Sequence, residues 1–126
     1  FSFSGVKTEV VNLVHNASQK GQEINKADLA CSFQECVTDD LAYKAIKACK
    51  GENIKKLVVA GGVGANSRLK EKLGLACNEN NIEFYSPILK YCTDNGAMIG
   101  SMAYYLIKDG IGLAKLDLTA KPNVDL

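Results

Sequence analysis

Tryptophan is absent from this sequence, histidine occurs once, and only two prolines, Pro87 and Pro122, interrupt its 126 residues. The lone His15 excludes a multi-histidine metal centre built from these residues alone. With Val10, Val11 and Val14 around it, His15 reads as a surface or half-buried position on a helix. Charge of one sign is lacking too. Fifteen Lys and Arg against 14 Asp and Glu leave a formal +1, so no global field draws the chain to nucleic acid or to an anionic membrane. No apolar run approaches the roughly 18 residues that a membrane span needs, and no membrane partner is expected. The five cysteines, Cys31, Cys36, Cys49, Cys77 and Cys92, are odd in number and contain no Cys-x-x-Cys pair. That excludes a disulfide framework and a zinc ribbon, and the residues read as reduced core thiols of a cytoplasmic protein. A Gly-x-Ser-x-Gly elbow, a Walker-type Gly-Lys-Ser/Thr and a His-Glu-x-x-His helix are also lacking, so the residues by themselves assign no catalytic group.

What is present is ordinary for one globular domain: 47% apolar and 23% charged residues, on a chain long enough for a core without staples. Phe1-Ser2-Phe3-Ser4 alternates apolar and polar as a half-buried strand does. Ser4 or Gly5 then opens a helix with Val6, Val10, Leu13, Val14 and Ala17 on one stripe, closing at Gly21. Asn25 caps a second, longer helix whose stripe is Leu29, Phe33, Cys36, Val37, Leu41, Ala45, Ile46 and Cys49, with Gly51 just past its last turn. Leu57-Val58-Val59-Ala60 lacks alternation, which predicts a strand covered on both faces. A helix with Leu69, Leu73, Ala76 and Cys77 follows, then a strand at Ile82–Tyr85 stopped by Pro87. A last helix begins near Thr93 or Asp94 with Met98, Met102, Tyr105 and Leu106 on one face, and from Gly110 onward the chain is a tail with little periodicity. The order β-α-α-β-α-β-α predicts an α/β sheet of about three strands with four helices on its faces. Three strands are few for a sheet, and the start at Phe1 falls inside an ordered stretch, so the expectation is that residues 1–126 are one piece with its upstream part missing.

Three strand-to-helix junctions could carry chemistry, because open α/β sheets bind ligands there. Val59-Ala60-Gly61-Gly62-Val63-Gly64-Ala65-Asn66 would let backbone N–H groups approach a phosphate, with Asn66 hydrogen-bonding a ribose or acyl-phosphate group. The plainer reading is a tight turn with Asn66 capping the next helix. At Thr93-Asp94-Asn95-Gly96, Asp94 is either a helix cap or a metal-ligating carboxylate that would need further ligands. Around Ser2-Phe3-Ser4-Gly5-Val6-Lys7-Thr8, Ser4 and Lys7 are weaker candidates for a polar wall beside a phosphate, the alternative being a capping serine and an exposed lysine.

The three segments occur in the order and spacing of one family. With Arg68-Leu69 after Asn66, the chain resembles the C-terminal part of the tRNA threonylcarbamoyladenosine transferases, long labelled O-sialoglycoprotein endopeptidases or glycoproteases. The resemblance implies a lobe of the actin, sugar-kinase and Hsp70 fold (ribonuclease H-like). It also implies transfer of the threonylcarbamoyl group from threonylcarbamoyl-adenylate to N6 of adenosine 37, in tRNAs reading codons that start with A. By position, Asn66 with Gly61 and Gly62 would bind the adenylate, and Asp94 would be one ligand of a divalent iron or zinc ion. The family's two histidine ligands, in a His-x-x-x-His motif, lie outside this stretch, so these residues alone are expected to hold no metal tightly and to be inactive. Accessory proteins of the threonylcarbamoyladenosine pathway are expected partners, as is self-association through a face left open. Departures from the family pattern are mild: Val6 for leucine, Gly64 for alanine, and Gly100-Ser101 where alanines are commoner. Two other readings stand beside this one: a non-catalytic paralogue or interaction module of the same fold, and a metallo-glycoprotease. Lys44, Lys47, Lys50, Lys55, Lys56, Arg68, Lys70 and Lys72 crowd one region and are expected to contribute partly to tRNA binding.

Overall fold

The computed structural model describes residues 2–112 together with Lys115, Asp117 and Thr119. Phe1 and most of the expected tail lie outside the described residues. The described chain is mixed α/β. Helix α1 (Ser4–Gln19) and helix α2 (Lys26–Gly51) precede strand β1 (Lys56–Val58). A 3-10 turn at Gly62–Ala65, helix α3 (Ser67–Glu79) and strand β2 (Glu83–Tyr85) follow, then a 3-10 turn at Leu89–Tyr91 and helix α4 (Gly96–Lys108). The chain divides into two compact units, Phe1–Thr93 and Asp94–Leu126.

In the first unit β1 and β2 pair in parallel, with Lys56 opposite Glu83, Leu57 opposite Phe84 and Val58 opposite Tyr85. Parallel neighbours need a crossover, and α3 supplies it. Leu57 and Phe84 share a face and meet Ile46 and Cys49 of α2, Cys77 of α3, and Ile82. A second cluster of Ala42, Leu69 and Leu73 continues the same core and also touches Leu57 and Phe84. The core therefore lies between one face of the sheet and the α2–α3 pair.

The four helices among the described residues end alike. The residue after each C-cap is left-handed, Gly21, Asn53, Asn81 and Gly110, at φ between 53° and 81°. The following N–H donates back across the last turn in each case: Gln22 to Ala17, Ile54 to Cys49, Ile82 to Cys77 and Ile111 to Leu106. This pattern satisfies carbonyls that a helix end otherwise leaves open.

Several expectations are corrected by packing. No strand forms at residues 2–4: Ser4 is already helical, and among the described residues Ser2 and Phe3 have no ladder partner. The β1 segment is covered on one face only, and Val58 stays 66% exposed. Gly51 is the last residue of α2, and Asn53 makes the left-handed turn in its place. The buried stripe of α2 runs through Thr38, Ala42, Ile46 and Cys49 and leaves Phe33 and Cys36 exposed. Cys49, Cys77 and Cys92 are core thiols as expected, whereas Cys31 and Cys36 face outward. His15 is exposed.

In the second unit, α4 starts after its cap Asn95, whose Oδ1 accepts from the Met98 N–H at 3.0 Å. No residue of α4 is buried, and Met98, Ile99, Met102, Tyr104, Tyr105 and Ile107 are all more than half exposed. Among the described residues no helix is long and apolar enough to cross a membrane.

Candidate functional site

The junction after β1 is built by one residue that only glycine suits. Val59 N–H still donates to Tyr85 at 3.0 Å, extending the ladder, and the chain then turns at Gly61, with φ 83° and ψ 177°. That combination is closed to residues carrying a Cβ. Gly64 N–H returns to Gly61 O at 3.0 Å, and Asn66 N–H to Val63 O at 3.0 Å, closing the 3-10 turn. Gly64 is buried, and a Cβ there would stand 3.1 Å from Val59 Cγ1. Gly61 and Gly62 are exposed with open space beside them, so a ligand can approach their backbone closely.

Asn66 is the N-cap of α3, and its Oδ1 accepts from Leu69 N–H at 2.9 Å. The capping reading is therefore correct, and it engages only the oxygen. The nitrogen Nδ2 donates to Gln34 Oε1 of α2 at 3.2 Å. Beside this pair lies a hollow of about 270 Å³ walled mainly by apolar side chains, among them Phe33, Val37, Val63 and Leu69, with Gln34 and Asn66 as polar groups on its lining. Small-molecule sites share this composition, few polar groups in an apolar surround, at somewhat larger volume.

An ion-pair network fixes α3 against α2 next to the hollow. Glu35 accepts from Arg68 through Nε at 2.7 Å and Nη2 at 3.0 Å, and Lys72 Nζ stands 2.8 Å from the same carboxylate. Lys72 also reaches Asp39 at 2.6 Å, and Arg68 reaches Glu71 at 2.8 Å. The hydrogen bonds from Arg68 and then Lys72 hold the Glu35 carboxyl down to about 2. Arg68 is pushed up, first by its bond to Glu35. Burial pulls the Lys72 ammonium down, and its bonds to Asp39 and Glu35 outweigh that, so the net shift is upward. Gln34 and Glu35 are the residues that sequence reasoning missed. No local pattern marks them, and only the fold reveals partners 32 and 33 residues away.

The other candidates are placed separately. Gly61, Gly62 and Asn66 share one turn. Ser4 opens α1, with its Oγ 2.9 Å from Ser2 Oγ and its carbonyl accepting from Thr8 Oγ1 at 2.9 Å. Lys7 is exposed one turn on, and no hydrogen bond among the described residues joins either residue to the Gly61–Asn66 turn. Asp94 belongs to the second unit and is exposed; because Asn95 caps α4, Asp94 is not the cap. Among the described residues no three His, Cys, Asp or Glu side chains gather around a common point. One carboxylate by itself does not hold a resident iron or zinc. Of the basic cluster, Lys44 pairs with Asp40, Lys56 with Glu83, and Lys70 Nζ donates to Pro87 O at 3.1 Å. With Arg68 and Lys72 held in the network, much of the expected tRNA-facing charge is committed within the chain.

Comparison with known proteins adds what geometry alone does not. The family model described as tRNA N6-adenosine threonylcarbamoyltransferase matches residues 1–101. A protein of that description from Staphylococcus haemolyticus is 50% identical over all 126 residues, which cover 36% of its own length. One from Caldicellulosiruptor saccharolyticus is 49% identical over 110 residues, 87% of this chain and 33% of the relative. One from Clostridium botulinum is 48% identical over the whole chain and 37% of the relative. The chain thus spans about a third of the length of the curated relatives it matches.

Proposed function

The chain belongs to the tRNA N6-adenosine threonylcarbamoyltransferase family, and from that premise we propose that it is the C-terminal, adenylate-facing portion of such an enzyme. In the reaction N6 of adenosine 37 forms a bond to the carbamoyl carbon and gives up one proton to solvent, while that carbon's bond to the bridging phosphate oxygen breaks and AMP leaves with the electron pair. In this reading the open backbone at Gly61 and Gly62 lies against the adenylate, and the Asn66 amide donates to it. Asp94 is one ligand of a divalent metal, iron or zinc, whose other ligands come from outside this chain, and the chain alone is inactive. Ser4 and Lys7 stay peripheral. The enzyme is cytoplasmic and works with accessory proteins of the threonylcarbamoyladenosine pathway. The chain by itself associates through open apolar surface such as Val58, Tyr85 and the exposed side chains of α4; a monodisperse monomer in light scattering at high concentration contradicts that part.

The observation that carries the reading is the junction itself. A glycine-only turn leads straight into a helix capped by Asn66, beside a hollow with two carboxamides on its lining. The test is nucleoside mass spectrometry of tRNA incubated with the full-length polypeptide containing this chain, its accessory proteins and threonylcarbamoyl-adenylate. Appearance of N6-threonylcarbamoyladenosine supports the proposal. Unmodified tRNA, with every component folded and present, refutes it.

A further inference from the structure

The carboxamide of Asn66 is held from two sides. Leu69 N–H needs an acceptor at the start of α3, so Oδ1 faces the helix and Nδ2 is directed away from it. Nδ2 carries two hydrogens, and Gln34 Oε1 takes one at 3.2 Å. The χ2 torsion of an asparagine is broad, so one hydrogen bond leaves the amide free to rock and a second from another direction fixes it.

The backbone that carries Gln34 is fixed, while its side chain is exposed: the main-chain carbonyl of Gln34 accepts from Thr38 Oγ1 at 2.7 Å, and Thr38 is only 3% exposed. Its neighbour Glu35 bridges Arg68 and Lys72, which ties this turn of α2 to the first turns of α3. Gln34 and Asn66 line the same apolar hollow.

We infer that Gln34 is a positioning residue for Asn66: it takes one Nδ2 hydrogen and leaves the other for a hydrogen-bond acceptor on the bound adenylate. The inference rests on the proposed role of Asn66 as an adenylate contact. It specifies the ligand atom as an acceptor, such as a hydroxyl or phosphoryl oxygen or a ring nitrogen, because the remaining Nδ2 hydrogen can only donate.

The experiment uses the full-length protein with its accessory proteins, varying threonylcarbamoyl-adenylate at saturating tRNA and then tRNA at saturating adenylate. Gln34→Ala removes the acceptor and is expected to raise KM for the adenylate by about threefold to tenfold, the range of one neutral hydrogen bond, with a smaller change in kcat and none in KM for tRNA. Gln34→Glu keeps an acceptor at the same reach and is expected to restore KM. An unchanged KM in Gln34→Ala, or equal impairment in Gln34→Glu, overturns the positioning role. Asn66→Asp separates the two levels, since aspartate caps a helix as well as asparagine but lacks the donor. If Asn66→Asp raises KM and Gln34→Ala does not, only the positioning role falls. If Asn66→Asp leaves KM unchanged, Asn66 does not contact the adenylate, and the site reading falls with the inference.

Discussion

Single residues here are constrained by backbone geometry as much as by chemistry. Gly61 has φ 83° with extended ψ, where any side chain is strained, although no atom would touch an added Cβ. Gly61→Ala is therefore expected to destabilise the protein by ~1–3 kcal/mol in urea titration, with the loss coming from the backbone alone. Gly64 shows the other kind of constraint: its space is taken by Val59, so an alanine there needs a small shift of that valine. The paired glycines and Asn66 were readable in the sequence because a strand running into Gly-Gly and then a helix has few solutions. Gln34 was not readable. A glutamine next to a glutamate on a helix carries no trace of a partner 32 residues away. Asp94 was only half readable, since sequence placed the helix start at Thr93 or Asp94 and the cap proved to be Asn95.

At the scale of elements, the helices were legible and the strands less so. Apolar stripes with caps gave four helices near their observed bounds, because period and capping are local properties. The two strands are three residues each, and their burial depends on which face the helices cover, which no local pattern records. The same limit explains the shifted stripe of α2, where Thr38 is buried because its hydroxyl bonds back to Gln34 and Glu35. The α2–α3 pair also depends on charge. Glu35 titrates at about 2 in the folded protein against an ordinary 4.5, so the folded state favours its ionised form. Its contribution to stability is complete above about pH 4.5 and fades as pH falls toward 2. In melting curves across pH, the difference between the protein and its Glu35→Gln variant should be constant at neutral pH and shrink through that window. A difference independent of pH down to 2 would contradict the network.

For the whole molecule, one feature decides whether the fold serves an enzyme or only a scaffold. The first unit is a self-consistent α/β layer with its core between the sheet and α2–α3, while the second presents apolar side chains and an exposed carboxylate. Family membership was legible because three short motifs stand in register; activity was not, because the relatives are about three times as long as this stretch. Asp94 tests the link between the two most directly. Asn95 does the capping, and the Asp94 side chain is exposed, so its removal leaves the start of α4 intact. The measurement is the N6-threonylcarbamoyladenosine content of tRNA made by the full-length protein carrying Asp94→Ala, with its melting temperature recorded alongside. The account predicts loss of the modified nucleoside at an unchanged melting temperature. Full modification by Asp94→Ala, or a fall in melting temperature that accounts for the loss, would contradict it.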